Sequence, residues 1–392
     1  MKPIAAVTGA AISQVGRRLG RSPIALTVEA VRRAVDDAGL QLSDIDGIAT
    51  YPGAGGKPFP GHNGASIAEL RHALGLKVSW FCGAGETPGQ LGALFDAVGA
   101  IAAGLADHVL VYRSLWESTA QTPQRRASVA GTDGGRASGV HQWTAPFGAM
   151  SAVNLSAMFA ARHFHQYGTT REQLAQIALN GRANAANTDY GVYQSPLTLD
   201  DYLSARVIST PLCLYDCDAP IDGATAVIVS RASVARQLRR DPLYIESLGS
   251  AFHGSGYWDQ FDDLTSMAAR DASEMLWQRS DFTPKDVQIA ELYDGFSIFT
   301  LIWLEALGFC GKGEAGQFVE GGKRIALDGD LPVNTGGGQL SGGRLHGYGL
   351  LYQACRQLWG QAGRTQVAGD PKVAVVGVGG GPLGGAMLLA KD

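Results

Sequence analysis

The sequence lacks several features that would assign it to common functional classes. Its 392 residues carry a formal net charge of −4, and a nucleic-acid partner usually requires a basic protein surface. The first residues, MKPIAAVTGAAIS, lack the basic and then apolar pattern of a signal peptide. Asp96 and Asp107 interrupt the best apolar run, so none reaches the roughly 18 residues of a membrane span. We therefore expect a cytoplasmic protein that has no membrane span and no nucleic-acid partner.

Metal-binding and dinucleotide-binding patterns are missing as well. The cysteines are few, odd in number and scattered: Cys82, Cys213, Cys217, Cys310 and Cys355. No second Cys or His pair follows Cys213 and Cys217 at zinc-site spacing, so we expect no structural metal. The segment VTGAA is not followed by the glycines of a dinucleotide fingerprint. We therefore expect no NAD cofactor.

Strand-like and helix-like segments alternate along the chain. In the first half, buried strands are predicted at about 3–12, 46–51, 78–82 and 108–112. An amphipathic helix ending at Gly39 follows the first strand, and a helix with little polar surface runs from about Pro88 to Gly104. This alternation predicts an α/β fold, with a parallel or mixed sheet covered on both faces.

The alternation is interrupted once and then starts again. Residues from about 114 to 210 form an insertion, with helices that begin at the capping boxes Thr169–Glu172 and Thr198–Asp201. Strand character returns at 223–233, and Arg239–Pro242 marks the boundary after which the strand and helix pattern repeats. We predict a duplicated fold, with one half at 1–240 carrying the insertion and the other at 241–392.

Four glycine-rich stretches, at 82–89, 293–296, 334–349 and 377–385, lie at the ends of predicted strands. Such positions carry the functional sites of α/β folds. The longest, NTGGGQLSGGRLHGYG, holds one arginine, one histidine and one tyrosine among its glycines: Arg344, His346 and Tyr348. Glycine lets the backbone approach a ligand closely. The stretch is therefore either a surface loop or a wall of a catalytic site.

Long segments of the chain resemble the thiolase superfamily, specifically its lipid-transfer-protein branch related to the sterol-carrier thiolases. They are YGTTREQLAQIALNGRANAA, SPLTLDDYLSARVISTPLCLYDCDAPIDGATAVIVS and GQLSGGRLHGYGLLYQACRQLWGQAG. The resemblance covers essentially the whole chain. It implies a thiolase fold of two similar βαβαβαββ halves in five layers, with an inserted loop domain at about 114–210. It also implies a homodimer that pairs the strands near 78–82.

The residues of covalent thiolase chemistry are replaced. The nucleophilic cysteine belongs at the start of the buried helix, where Glu86-Thr87-Pro88 stands, and Cys82, about five residues upstream, is expected to be a buried core thiol. The second cysteine matches Gly377. The histidine of the Gly-His-Pro motif matches Arg344, and Tyr293-Asp294-Gly295-Phe296 replaces the Asn-Glu-Ala-Phe or His-Asp-Cys-Phe motif. These replacements argue against thiolase activity.

The glycine frame of the family remains. Backbone N–H groups of the turn at Gly377–Gly381, with Gly379 the closest match, and of the turn before Pro88 would bind a thioester oxygen and stabilise an enolate. This implies retro-aldol cleavage of a β-hydroxyacyl-CoA, as in the steroid side-chain aldolases of steroid degradation. Those enzymes release a 17-keto steroid and a short acyl-CoA such as propionyl-CoA. No metal or cofactor is implied beyond the CoA of the substrate.

Tyr293 and Tyr348 stand at catalytic positions of the family and are expected to be the proton acceptor and donor, in an order that the sequence leaves open. Taken alone, each would more often be a core tyrosine. A phenol needs a cationic neighbour to act as a base near neutral pH, and we expect Arg344 or His346 to supply it.

Other candidate residues have two interpretations each. His346 is either catalytic or structural, and Asn334 either orients the catalytic loop or only forms a turn. Asp294 either supports the loop or caps a helix that starts at Phe296 or Ser297. His253 is placed with less support at the substrate entrance.

The resemblance further implies a partner, a zinc-ribbon and OB-fold protein that binds acyl-CoA. Two alternative functions stay open. The chain could be a degenerate thiolase or acyltransferase that uses Cys82, or a non-enzymatic carrier of lipid or acyl-CoA.

Overall fold

The computed structural model describes residues 3–52, 60–83, 89–121, 132–133, 136–137, 139, 141–254, 258 and 262–392. Within these ranges, no helix combines the length and the apolar character needed to cross a bilayer.

The strands, in chain order, are β1 (Ala5–Ile12), β2 (Gly47–Thr50), β3 (Trp80–Gly83), β4 (His108–Trp116), β5 (Thr132–Asp133), β6 (Arg136–Ala137), β7 (Val207–Ser209), β8 (Leu212–Cys213), β9 (Asp222–Arg231), β10 (Leu243–Phe252), β11 (Ile289–Leu292), β12 (Val373–Val378) and β13 (Leu383–Ala390).

The α-helices are α1 (Pro23–Ala38), α2 (Ile67–Leu74), α3 (Gly92–Ala102), α4 (Glu117–Ala120), α5 (His141–Thr144), α6 (Ala152–Tyr167), α7 (Arg171–Ala185), α8 (Leu199–Leu203), α9 (Ala232–Ala235), α10 (Ala268–Gln278), α11 (Ser297–Ala306), α12 (Ala315–Val319) and α13 (Tyr348–Leu358).

Among the described residues, nine strands form one mixed sheet in the order β11-β12-β13-β10-β1-β9-β4-β2-β3. The first strands of the two halves, β1 and β10, pair antiparallel at the centre. From the centre outwards, the first half runs β1-β9-β4-β2-β3 and the second half runs β10-β13-β12-β11. In each half, the first strand of the sheet is thus followed by the last, the second-to-last and then the second strand. In the second half, a parallel bridge between Ala290 and Val333 takes the place of the third strand. The predicted duplication and the predicted α/β class are therefore confirmed.

Side-chain alternation along the strands decides which helices cover which face. In β4, Val109 and Val111 point to the core that contains α3, whereas Leu110 and Tyr112 point to the core that contains α1. Helix α13 takes the corresponding inner position in the second half, where it packs on β11 and β12 and also reaches β1. The starts of α3 and α13 are therefore brought to the same inner region.

The helix ends follow the sequence signals closely. Gly39 ends α1 in the left-handed conformation (φ 74°), and Thr198 caps α8 in a box with Asp201, both as predicted. The other predicted box is displaced by one residue, because Thr170 and Gln173 cap α7. The segment between β4 and β9 contains α4 to α8. Strand β3 is the edge strand, and its Phe81 is 67% exposed.

Candidate active site

The glycine-rich stretch 334–349 is buried along most of its length, so it is not a surface loop. It leaves the bridge at Val333, passes through a π-helical turn at Gly338–Gly342 and ends where α13 begins at Tyr348. A π-turn of this kind often marks a functional site. The stretch therefore forms an inner wall of the protein, as the catalytic interpretation predicts.

Asn334 and Asp294 hold this wall against β11. The Asn334 side-chain oxygen accepts a hydrogen bond from the Leu292 N–H at 2.7 Å, and Asn334 itself has φ 50°. The Asp294 carboxylate accepts from the N–H groups of Gln339, at 2.8 Å, and Leu340, at 3.3 Å. The interpretation of Asn334 as a residue that orients the loop agrees with this geometry.

The capping role considered for Asp294 is wrong. The residue before α11 is Phe296, and no side chain of the described residues caps this helix. The Asp294 carboxylate is instead used by the π-turn. Burial raises the pKa of Asp294 to about 7, although the two N–H donors of the turn oppose this rise. Asp294 is thus a buried support of the glycine-rich wall.

Arg344 is held by two carboxylates. Its Nε and Nη2 atoms lie 2.9 and 2.5 Å from Glu117 Oε2, and its Nη1 lies 3.1 Å from Asp218 Oδ1. Burial alone would raise the pKa of Glu117, but Arg344, His62 and Arg113 outweigh it and bring the pKa to about 2. For Asp218, burial wins over Arg344 and the pKa rises to about 6.

His346 lies beside a second histidine. Its ring packs edge-on against that of His62, with centroids 4.7 Å apart, and stacks on Tyr51 at 6.5 Å. Burial, followed by the charges of His62, Arg113 and Arg344, lowers the pKa of His346 well below its ordinary value. His346 is therefore neutral at pH 7.

Tyr348 is the first residue of α13 and is completely buried. Its hydroxyl makes no hydrogen bond to any other residue that the structure describes. Gly347 has φ 81°, and a Cβ there would lie 2.8 Å from Val378 Cγ1, so only glycine lets α13 start so close to the end of β12. The start of α13, which carries Tyr348, is thereby fixed beside the end of β12.

Tyr293 is the residue after β11, the strand that pairs with β12. Its N–H donates to the Gly377 carbonyl at 2.8 Å, and its ring stacks on Phe299 with centroids 6.2 Å apart. A Cβ at Gly295 would lie 2.7 Å from the Tyr293 hydroxyl oxygen, because the ring folds back over the turn. The positive charge of Arg344 acts on this phenol. Tyr293 and Tyr348 therefore both lie near the C-terminal ends of β11 and β12.

The expected cation from Arg344 acts on Tyr293 but not on Tyr348, and His346 supplies none. Arg344 is engaged by Glu117 and Asp218, and His346 is neutral. The charge that acts on Tyr348 is that of Arg113: burial raises the pKa of Tyr348, Arg113 opposes the rise, and Asp96 adds to it.

Sequence reasoning missed Arg113, His62 and Glu117. Arg113 lies in β4 and is 1% exposed, and its Nη1 donates to the His62 carbonyl at 2.6 Å and to the Ser114 carbonyl at 2.8 Å. His62 Nδ1 lies 3.2 Å from Glu117 Oε1. One signal was present in the sequence, since an arginine inside the apolar run HVLVYRSLW is unusual for a buried strand.

The turn after β12, predicted to bind a thioester oxygen, has a fixed backbone. Gly379 has φ 96°, and its carbonyl accepts a hydrogen bond from the Trp303 indole N–H at 3.0 Å. Because this bond fixes one peptide plane, it also fixes the direction of the neighbouring Gly380 N–H. The ring of Trp258 covers Gly381, where an added Cβ would lie 2.6 Å from Trp258 Cδ2. The turn before Pro88 lies outside the described residues.

His253 lies next to this turn but faces two carboxylates. Its N–H donates to the Pro382 carbonyl at 2.8 Å, and its Nδ1 lies 2.9 Å from Asp271 Oδ2. Its Nε2 lies 3.4 Å from Asp262 Oδ1. A place near the substrate entrance stays a prediction.

One cluster in the described residues has the spacing of metal ligands. Ligand atoms of His62, Glu117 and His346 all lie within 4.8 Å of one another. However, Arg344 already binds Glu117, and Arg113 Nη2 lies 3.5 Å from both ring nitrogens of His62. A metal cation would be repelled by both guanidinium groups. The arrangement therefore favours a hydrogen-bonded network over a metal site.

Cys82 is half-buried at the sheet edge rather than in the core, so the expectation of a buried core thiol is wrong. Its Sγ donates to Asp96 Oδ2 at 3.3 Å. Burial and Asp96 raise the pKa of the Cys82 thiol to about 11. A thiol in this state is a poor nucleophile.

Comparisons with known proteins agree with the fold. Residues 250–389 match the family model "Thiolase C-terminal domain-like". The chain is 35% identical over 392 residues to the 17-hydroxy-3-oxo-4-pregnene-20-carboxyl-CoA lyase of Mycobacterium tuberculosis, with 98% of each chain covered. It belongs to the thiolase superfamily.

Its place in that superfamily is with the steroid side-chain aldolases. The steroid side-chain-cleaving aldolase of Thermomonospora curvata is 33% identical, over 99% of this chain and 98% of that protein. A solved structure described as "Ltp2-ChsH2(DUF35) aldolase" is 31% identical, has a TM-score of 0.88, and is matched over 100% of this chain and 98% of that one.

The structure of this chain explains why two catalytic residues of thiolases are replaced. A Cβ at Gly377, the position of the second cysteine, would lie 2.8 Å from Cε3 of the buried Trp303. The indole therefore occupies the space that a cysteine side chain would need. Arg344, at the histidine position, is an ion-paired residue that joins Glu117 and Asp218. Neither position is able to carry out covalent thioester chemistry.

Proposed function

We propose that this protein cleaves a β-hydroxyacyl-CoA thioester of a steroid by a retro-aldol reaction, without a covalent intermediate. A tertiary β-hydroxyl group loses its proton while the Cα–Cβ bond breaks. The electron pair of that bond moves to the thioester as an enolate, and the β-carbon leaves as the 17-keto group of the steroid. Protonation of Cα then gives a short acyl-CoA such as propionyl-CoA.

The observation that carries this proposal is the buried Tyr348 hydroxyl. It makes no hydrogen bond within the described part of the chain, and it belongs to the residue after Gly347, which packs against Val378 just before Gly379. A buried hydroxyl without a hydrogen-bond partner lowers the stability of the folded protein, so its presence calls for a functional explanation. Tyr293 supplies a second phenol next to the same turn. The reaction needs one proton acceptor and one proton donor near the enolate, and two phenols meet that need.

Binding of the enolate oxygen is assigned to the backbone N–H groups of the turn at Gly377–Gly381. The hydrogen bond from Trp303 to the Gly379 carbonyl makes this turn rigid. Preorganised donors of this kind stabilise a developing oxyanion, and loss of one typically lowers kcat by about 10²–10³.

The substrate class follows from the relatives. One acts on a 17-hydroxy-3-oxo-4-pregnene-20-carboxyl-CoA, and another is a steroid side-chain-cleaving aldolase. We assign the same class of substrate to this chain. We also assign a DUF35-type partner, because the similar solved structure is a complex with such a protein, and a homodimer paired through β3, whose edge and Phe81 are exposed.

The test is turnover of 17-hydroxy-3-oxo-4-pregnene-20-carboxyl-CoA by the chain together with a DUF35-type partner, with ketone and acyl-CoA measured by mass spectrometry. Tyr293→Phe and Tyr348→Phe each remove a single hydroxyl and should lower kcat by about 10²–10⁴. Tyr244→Phe is the matched control. Tyr244 lies on β10, outside the site, and its hydroxyl accepts a hydrogen bond from Arg236. Unchanged turnover in both Tyr293→Phe and Tyr348→Phe would refute the proposal.

A further inference from the structure

Arg113 carries a positive charge that no carboxylate of the described residues pairs with directly. The residue is 1% exposed, and the two acceptors of its Nη1, the carbonyls of His62 and Ser114, are neutral. In the described part of the chain, no Asp or Glu oxygen comes within 4.0 Å of this guanidinium. Buried charges in proteins are normally paired. Arg113 is therefore an exception that requires a functional explanation.

The nearest carboxylates are already used by other groups. Glu117 accepts from Arg344 at 2.9 Å and lies 3.2 Å from His62. Asp218 accepts from Arg344 at 3.1 Å. An anion that forms beside Arg113 would thus meet an unneutralised guanidinium.

The Tyr348 hydroxyl is the group in this region that can become such an anion. Neither this hydroxyl nor the Arg113 Nε–H makes a hydrogen bond to another described residue. Shared neighbours bring Arg113 to the start of α13: its Nη2 lies 3.5 Å from both His62 ring nitrogens, and the His62 ring packs on His346, two residues before Tyr348. Consistent with this placement, the charge of Arg113 opposes the rise in the pKa of Tyr348 that burial causes. The remaining face of the guanidinium lies over the ring of Tyr51, with Cζ 5.1 Å from its centroid.

We infer that Arg113 is a positioning residue that stabilises the phenolate left when Tyr348 donates its proton to the enolate carbon. This inference deepens the proposed function and rests on it. Burial keeps Tyr348 protonated in the resting state, which suits a proton donor. Tyr293 is then the phenol that accepts the β-hydroxyl proton.

The proton transfers balance over one turnover. In the proposed cycle, Tyr293 starts as the phenolate, on which the charge of Arg344 acts, and Tyr348 starts as the phenol. The β-hydroxyl proton moves to Tyr293 as the Cα–Cβ bond breaks, and the Tyr348 proton then moves to Cα. Tyr348 becomes a phenolate beside Arg113, and transfer of the proton from Tyr293 to Tyr348 restores the resting state.

Other ionisable groups surround Tyr348 and Arg113 and bear on any pH profile. Asp96 on α3 acts on Tyr348 itself, whereas Tyr51, Glu117 and Arg344 interact with Arg113. His62, Asp218 and His346 are coupled to these same groups. For this reason the test measures the ionisation of Tyr348 directly.

The first experiment replaces Tyr348 with a polyfluorinated tyrosine, whose phenol is more acidic, and follows its ionisation by ¹⁹F NMR in the full-length chain. Arg113→Gln keeps donors for the two carbonyls but removes the charge. We expect the probe to ionise at least about one pH unit higher in this variant than in the wild type. Arg113→Lys should restore most of the difference. Arg236→Gln, which removes an exposed arginine at the end of α9 that pairs with Asp392, should leave it unchanged.

A second measurement does not depend on whether Arg113→Gln folds. The same probe at Tyr190 serves as a reference, because burial, Tyr352 and the Glu291 carboxyl all raise the pKa of that phenol. The probe at Tyr348 should ionise at the lower pH of the two. An equal or higher value at Tyr348, or an unchanged titration in Arg113→Gln, would overturn the inference.

A third experiment separates the two tyrosines and uses propionyl-CoA in D₂O. Exchange of its α-protons needs the Tyr348 phenolate, which forms when Tyr348 gives its proton to Tyr293 or to solvent. Tyr348→Phe should abolish exchange at every pH, and Arg113→Gln should slow it about tenfold or more. Tyr293→Phe should show exchange that rises with pH, because only solvent can then take the Tyr348 proton. The reverse pattern for the two tyrosines would refute the assignment. If the wild type neither exchanges nor cleaves, the proposed function fails, while the NMR titrations still decide the pairing of Arg113 with Tyr348.

Discussion

Gly377→Ala tests whether Trp303 has taken the space of the second thiolase cysteine. The added Cβ would lie 2.8 Å from Trp303 Cε3 and 3.0 Å from Cδ2, whereas carbon atoms in contact prefer about 3.5–4.0 Å. The indole cannot withdraw freely, because it is completely buried and donates to the Gly379 carbonyl at 3.0 Å. Overpacking of this size costs about 1–3 kcal/mol of unfolding free energy.

The assay is urea unfolding of the full chain, combined with turnover of the steroid thioester. Gly99→Ala is the matched control: it adds the same methyl group to α3 at a position where no atom of the described residues lies within 4 Å. This control should be neutral or stabilising by up to about 1 kcal/mol. Gly377→Ala should also lower kcat, because relief of the clash moves Trp303 or the turn that presents Gly379.

A double-mutant cycle locates the cause. If the clash is with the indole, the combined variant Gly377→Ala/Trp303→Phe should be less destabilised than the sum of its single changes by at least about 0.5 kcal/mol. Gly377→Cys should be as costly as Gly377→Ala and should gain no thiolase activity. Wild-type stability and turnover in Gly377→Ala would refute the reasoning.

Three further predictions concern the charged groups and the remaining thiol. Arg344→His, which restores the thiolase histidine, should cost about 3–5 kcal/mol in thermal or urea unfolding because Glu117 and Asp218 lose their shared cation; wild-type stability would contradict this. Glu117 has a lowered folded pKa of about 2, so its contribution is complete above about pH 4.5 and should fall by about 3 kcal/mol as pH drops towards 2. The raised pKa of Asp218 acts in the opposite direction between about pH 4 and 6, so unfolding is measured below pH 4, where Glu117→Gln should show a flatter slope. Cys82→Ser should retain full turnover, and mass spectrometry should find no acyl group on Cys82 in the wild type, since the pKa of this thiol is raised to about 11. A large loss of turnover would support the alternative function that uses Cys82.

The duplicated fold could be predicted from local pattern because its determinants are local. Alternating apolar segments, the glycine that ends α1 and the capping box of α8 each act within a few residues. The prediction that Tyr293 and Tyr348 share one site came from the family resemblance, because 55 residues separate them in the chain. The displaced box of α7 shows the limit, because Thr169 and Thr170 offer the same capping atoms.

The sequence by itself determined which side chains are present in the site and which thiolase groups are missing. Only the tertiary structure decided how their charges combine, because that depends on contacts between residues far apart in the chain. Arg344 looks available in the sequence, but Glu117, 227 residues away, binds it in the fold. Arg113 follows the predicted strand at about 108–112, but β4 extends to Trp116 and buries it without a paired carboxylate among the described residues. Electrostatic interactions in a protein interior follow distance in space and burial, and a linear sequence records neither.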